Sequence, residues 1–194
     1  APPPIPQDSR PYRPWRTEKA QFMVDTDNIE SVSGLASMQK GMFFSYAVDT
    51  GSDAYVEQFD FTGTGEVDAD LLRAALTATS RHYSVLRTVF SFERTDDPYQ
   101  LVLKEWPPRL EAVDYRDRDD ADLAVEEFKA ADRARGFDLS GDVLLRAAVI
   151  WTGDDRWRLV VTFHHIILDG WSLAPLFQTW FGYYDELVRT GSLT

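Results

Sequence analysis

A chain of 194 residues, 44% hydrophobic and 13% aromatic, buries one sizeable core, enough for a single domain with a tail. Its formal net charge of −12 opposes nucleic acid, whose phosphates need clustered Lys and Arg, and anionic membrane surfaces. It holds no cysteine, which excludes disulfides, thiolate zinc sites and a cysteine nucleophile, and no apolar run reaches membrane-spanning length.

Residues 1–24 come first. Ala1 to Trp15 carries six of the ten prolines, which makes an extended segment unsuited to helix. We expect a proline-rich linker or tail here, with Tyr12 and Trp15 able to pin it to the body. No secretory leader is seen, and a cytoplasmic location is expected.

The body, 25–194, alternates helices and strands. Residues 35–47 read as a helix. Tyr55–Phe61 alternates as a strand, with Tyr55, Glu57, Phe59 and Phe61 on one face. Asp68 caps a helix that runs to about Tyr83, with Leu71, Leu72, Ala75, Leu76 and Thr79 on its inner side. Leu86–Phe92 and Tyr99–Leu103 read as strands. Asp114–Asp122 is a solvated loop. Ala121–Arg135 is a helix stopped by Gly136. Val143–Trp151 and Trp157–Phe163 form a hairpin over Thr152-Gly153-Asp154-Asp155. A last helix covers Leu173–Arg189. This order predicts an α/β fold, a mixed sheet flanked by helices.

Chemistry concentrates in Phe163–Ser172. Two of the three histidines, His164 and His165, stand together where a strand ends and a turn begins. Adjacent side chains on a strand point to opposite faces. One histidine therefore faces a site and the other packs behind it. Asp169 follows four residues after His165. Its carboxylate can return toward the imidazoles or anchor the loop to another strand. Gly170 permits a close backbone approach. A His/His/Asp set invites a metal reading, but adjacent histidines point apart, so no metal is expected.

Phe163–Ser172 resembles the HHxxxDG signature of the condensation domains of nonribosomal peptide synthetases. More broadly it resembles the chloramphenicol acetyltransferase-like acyltransferases. Trp171-Ser172 after the Asp-Gly favours condensation domains within that superfamily. Three further stretches agree, in family order. Leu35–Phe44, continued by Asp53–Gln58, is similar to the first motif. Arg81–Phe90 is similar to the second, RHxxLRTxF. Gly136–Leu139 with Leu144–Arg146 is similar to the stretch before the histidine strand. The resemblance spans residue 29 to about 188.

It implies one lobe, the N-terminal one, of a two-lobed fold with the active site in a tunnel between lobes. The motifs of the C-terminal lobe are absent, so the chain is a fragment or half of a split domain. The implied reaction joins an aminoacyl amine to an acyl thioester. Both substrates ride on phosphopantetheine arms of donor and acceptor peptidyl carrier proteins. An adjacent adenylation domain is a further implied partner, and no cofactor is expected to be bound by the lobe itself.

By the same resemblance His165 faces the substrates, as general base or as the group that orients the amine. His164 supports the loop from behind. Asp169 pairs with Arg87 and holds the loop in shape. Gly170 offers its amide to an oxyanion. Trp171 and Ser172 line the substrate channel, although an aromatic at 171 equally suits a core. His82 is structural. Two alternatives stand beside this reading. One is a noncatalytic lobe that docks carrier proteins or a tailoring enzyme. The other is a coenzyme A-dependent acyltransferase.

Overall fold

The computed structural model describes residues 25–49, 53–91 and 97–193; the expected tail, with Tyr12 and Trp15, lies outside them. Four strands, β2 (Val56–Thr64), β5 (Arg109–Asp114), β6 (Leu145–Gly153) and β7 (Arg156–His164), form a sheet in the order β2-β7-β6-β5. β5 runs parallel to β6, and the other two pairs are antiparallel, so this is the expected mixed sheet. Another three strands, β1 (Ile29–Gly34), β3 (Thr88–Ser91) and β4 (Tyr99–Leu103), form a separate antiparallel sheet in the order β1-β4-β3.

Alternation along β6 and β7 builds the layers. Ala147, Val149, Leu159, Val161 and Phe163 share a core with Leu72 and Leu76 of α2 (Ala69–His82) and with Leu176 and Trp180 of α4 (Gly170–Thr190). Ala148, Ile150 and Val160 face the other side and meet Val125 of α3 (Ala121–Arg135). Trp180 is fully buried and donates its indole N–H to the carbonyl of Leu72 at 3.0 Å, which ties α4 to α2. The remaining helix, α1 (Ser37–Val48), buries Met42 and Phe43.

Local chemistry sets the ends of these elements. The Asp68 carboxylate accepts from the amides of Asp70 and Leu71 at 2.8 and 3.0 Å, so α2 starts where the sequence places it. Gly136 follows α3 with φ of 61°, the conformation that favours glycine. Gly63 of β2 lies opposite Trp157 of β7. The indole fills the space that a side chain at 63 needs: a Cβ there would sit 2.1 Å from the ring.

Four elements depart from expectation. β1 and β5 are strands that the sequence pattern does not mark: only one residue of β5, Leu110, is buried and none of β1 is. Ladder pairing to better-buried neighbours makes them strands. The segment from 86 begins as a 3-10 turn, Ser84–Arg87, before β3. α4 starts at Gly170 rather than Leu173 because Asp169 caps it.

Candidate active site

β7 ends at His164, and a short turn leads into α4. The backbone of the two histidines is clamped from both sides. His164 donates its amide to the carbonyl of Leu144 at 3.0 Å, and His165 donates its amide to the carbonyl of Tyr55 at 2.8 Å. The site therefore sits where the segments that open β2 and β6, the two neighbours of β7, meet its end.

His164 is buried. Its ring lies between those of Tyr55 and Phe137, with centroids 6.1 and 6.4 Å away. Its Nδ1 accepts the amide of Ile166 at 3.1 Å, so in the neutral ring the proton is on Nε2. Burial, and next the neighbouring His165, push its pKa down to about 4. His164 is thus a neutral, packed residue behind the turn.

His165 is half-buried, and its Nδ1 lies 2.7 Å from the carbonyl oxygen of Leu168. A carbonyl only accepts, so in the neutral ring Nδ1 carries the proton and Nε2 the lone pair. No described residue bonds to Nε2. The two histidines hold their protons on opposite ring nitrogens, and only His165 offers a free base.

The expected pair between Asp169 and Arg87 does not form. Asp169 instead caps α4, its Oδ1 accepting the amide and the hydroxyl of Ser172 at 2.9 and 2.6 Å. The Ser172 hydroxyl and amide hold this carboxyl below the usual carboxylate range. Arg87 is buried elsewhere. Its Nε donates to the carbonyl of Ser80 at 2.8 Å, and its Nη1 bonds Glu30 at 2.6 Å and also the carbonyl of Leu103. The reason is position. Arg87 ends the 3-10 turn between α2, whose Ser80 carbonyl it meets, and the three-stranded sheet, where β1 and β4 supply its other acceptors.

Four other expected residues take specific places. Ser172 was expected in the channel, but its hydroxyl is committed to the cap. Gly170 opens α4 without positive φ, and a Cβ there would meet nothing within 4 Å, so crowding does not demand glycine. Trp171 is 90% exposed on the first turn of α4, which rules out the core reading for it. His82 is exposed and makes an edge contact with Tyr83, centroids 4.6 Å apart.

One contact was not read from sequence. Gln39, which lies within the first-motif stretch, donates from Nε2 to the carbonyl of Ile166 at 3.2 Å. Its place in the first turn of α1 was the available signal.

A family model described as the condensation domain matches residues 29–194. The chain belongs to the condensation-domain family. It is 37% identical over 163 residues to bacitracin synthase 3 of Bacillus licheniformis, covering 84% of this chain and 2% of that protein. To gramicidin S synthase 2 of Brevibacillus brevis it is 34% identical over 163 residues, 83% of this chain and 4% of the relative. Among solved structures, the starter condensation domain of rhizomide synthetase superposes with a TM-score of 0.76 at 18% identity, covering 84% of this chain and 41% of that one. The first condensation domain of the calcium-dependent antibiotic synthetase, bound to a substrate analogue, gives a TM-score of 0.75 at 23% identity, covering 84% and 39%. This condensation-domain chain thus spans about two-fifths of the solved domains and a few percent of the synthetases it matches.

Among the described residues, no group of three His, Cys, Asp or Glu side chains is placed to hold a metal ion. No described helix is long and apolar enough to cross a membrane.

Proposed function

We propose that this lobe supplies the catalytic histidine of an amide-forming condensation domain. The observation that carries the proposal is the Nδ1-protonated His165, which leaves Nε2 a lone pair at the mouth of the turn. An aminoacyl amine donates one N–H to Nε2. That bond orients the nitrogen lone pair toward the thioester carbon, and Nε2 then takes the proton as the C–N bond forms. The C–S bond breaks, and the departing thiolate recovers the proton. The products are the amide and a free thiol.

The amide of Gly170, at the N-terminal end of α4, is the proposed donor to the developing oxyanion. Trp171, exposed on the same turn, is the proposed channel residue. Asp169 and His164 hold the turn in shape, and Arg87 fixes the second motif.

The proposed partners are donor and acceptor carrier proteins that present both thioesters on phosphopantetheine arms, an adenylation domain, and the C-terminal lobe that completes the tunnel. The proposed setting is cytoplasmic. The test is an amide-forming assay with acyl- and aminoacyl-loaded carrier proteins. This chain alone should give no product, and the chain with a C-terminal lobe should give amide. Product from the chain alone overturns the need for the second lobe. No product in either case, with carrier binding retained, favours a docking lobe instead.

A further inference from the structure

We infer that Gln39 is a positioning residue that sets the imidazole of His165. Both ends of its amide are used, and each partner allows only one role. The amide of Ala36 can only donate, and it meets Gln39 Oε1 at 2.9 Å. The carbonyl of Ile166 can only accept, and it meets Gln39 Nε2 at 3.2 Å. The side-chain orientation is therefore fixed by its neighbours.

The second Nε2 hydrogen points to Gln100 Oε1 on β4, at 3.4 Å. Gln100 in turn donates to Ser33 Oγ and to the carbonyl of Gly34, both at 3.2 Å. A chain of amides thus runs from β1 and β4, through the start of α1, to the carbonyl of Ile166, the residue after His165.

Ile166 matters to the ring. Ile166 carries two constraints: its N–H bonds His164 Nδ1, and its C=O is held by Gln39. Together they fix the turn that brings Leu168 O to His165 Nδ1. Without Gln39 the Ile166 carbonyl is free to rotate, the Leu168 contact loosens, and the His165 proton redistributes between the two ring nitrogens. A lone pair on Nε2 is then present for only part of the time.

This inference rests on the proposed role of His165, but its test needs no turnover. The chain has three histidines, so their ring nitrogens are resolvable by 15N NMR of the histidine-labelled 194-residue protein. In the wild type His165 should show the Nδ1–H neutral form and His164 the Nε2–H form. Gln39→Glu keeps the acceptor for Ala36 and removes the donor to Ile166. It should move the His165 shifts toward the average of the two tautomers and leave His82 unchanged. Gln39→Ala should do the same or more.

Unchanged His165 shifts in both variants overturn the inference. So does an equal change at all three histidines, which reports general unfolding. In a complete domain Gln39→Glu should lower kcat by roughly 10-fold or more at unchanged KM. Equal kcat in variant and wild type also overturns it. A wild-type complete domain that forms no amide, with the tautomer shift intact, overturns the proposed function and leaves the role of Gln39 standing.

Discussion

Arg87 Nη1 lies 2.6 Å from Glu30 Oε2, so the second-motif arginine pairs with β1 rather than with Asp169. The guanidinium is nearly buried while Glu30 is half-exposed, so the pair itself contributes modestly. The larger effect comes from the carbonyls of Ser80 and Leu103, which lose their donor if Arg87 is removed. Arg87→Met should therefore destabilise the chain by about 2–4 kcal/mol in urea unfolding. A double-mutant cycle with Glu30→Gln should show coupling of about 0.5 kcal/mol or more. The same cycle with Asp169→Asn should be additive. Coupling between 87 and 169 would restore the expected pair.

In a complete domain, His165→Ala should reduce amide formation by about 100- to 10,000-fold, the range for loss of a positioned base. Its melting temperature should stay close to that of the wild type, because the ring is only half-buried. Unchanged turnover removes His165 from the mechanism.

His164 makes stability depend on pH. Its folded pKa is about 4, against about 6.5 in an unfolded chain. Between those values the unfolded chain binds the extra proton, so stability falls as pH falls. The contribution is complete above about 6.5 and is lost on the way down to about 4, at most about 3 kcal/mol. His164→Gln should flatten this part of the curve. The check is the urea midpoint of both proteins between neutral and mildly acid pH. Parallel curves would mean that the buried ring is protonated in the fold.

Gly63→Ala should be destabilising by about 1–3 kcal/mol, since the new methyl meets the Trp157 ring. Shortening the ring, as Trp157→Val, should relieve most of that loss in the double variant. Thermal melts of the two single variants and the pair decide it. A neutral Gly63→Ala would mean that the indole swings away freely.

Much of the fold was legible because its signals are local. Asp68 and Gly136 bracket helices by their own cap chemistry, and the alternation of β6 and β7 marks a hairpin buried on both faces. β5 escaped because Arg109, Glu111 and Asp114 outweigh Leu110 in any pattern, and only the ladder with β6 makes it a strand. At the site, strand alternation suggests different surroundings for His164 and His165, and in the structure His164 ends β7 buried while His165 lies half-buried in the turn. It says nothing about which carbonyl each ring nitrogen meets, since that depends on the turn. The partner of Arg87 was not legible either. Glu30 comes 57 residues earlier in the chain and reaches Arg87 only once β1 has paired with β4.

The pairing of β2 with β7 has a consequence for the order of assembly. Gln58 and Thr162 meet across this pair although they are 104 residues apart. Closing so long a loop is entropically unfavourable and kinetically slow. During synthesis, Tyr55 leaves the ribosome long before the strand that ends in His164. The clamp on His165 therefore cannot exist until nearly the whole lobe has been made. A nascent chain halted before β7 should present helices and the small sheet, but no histidine site.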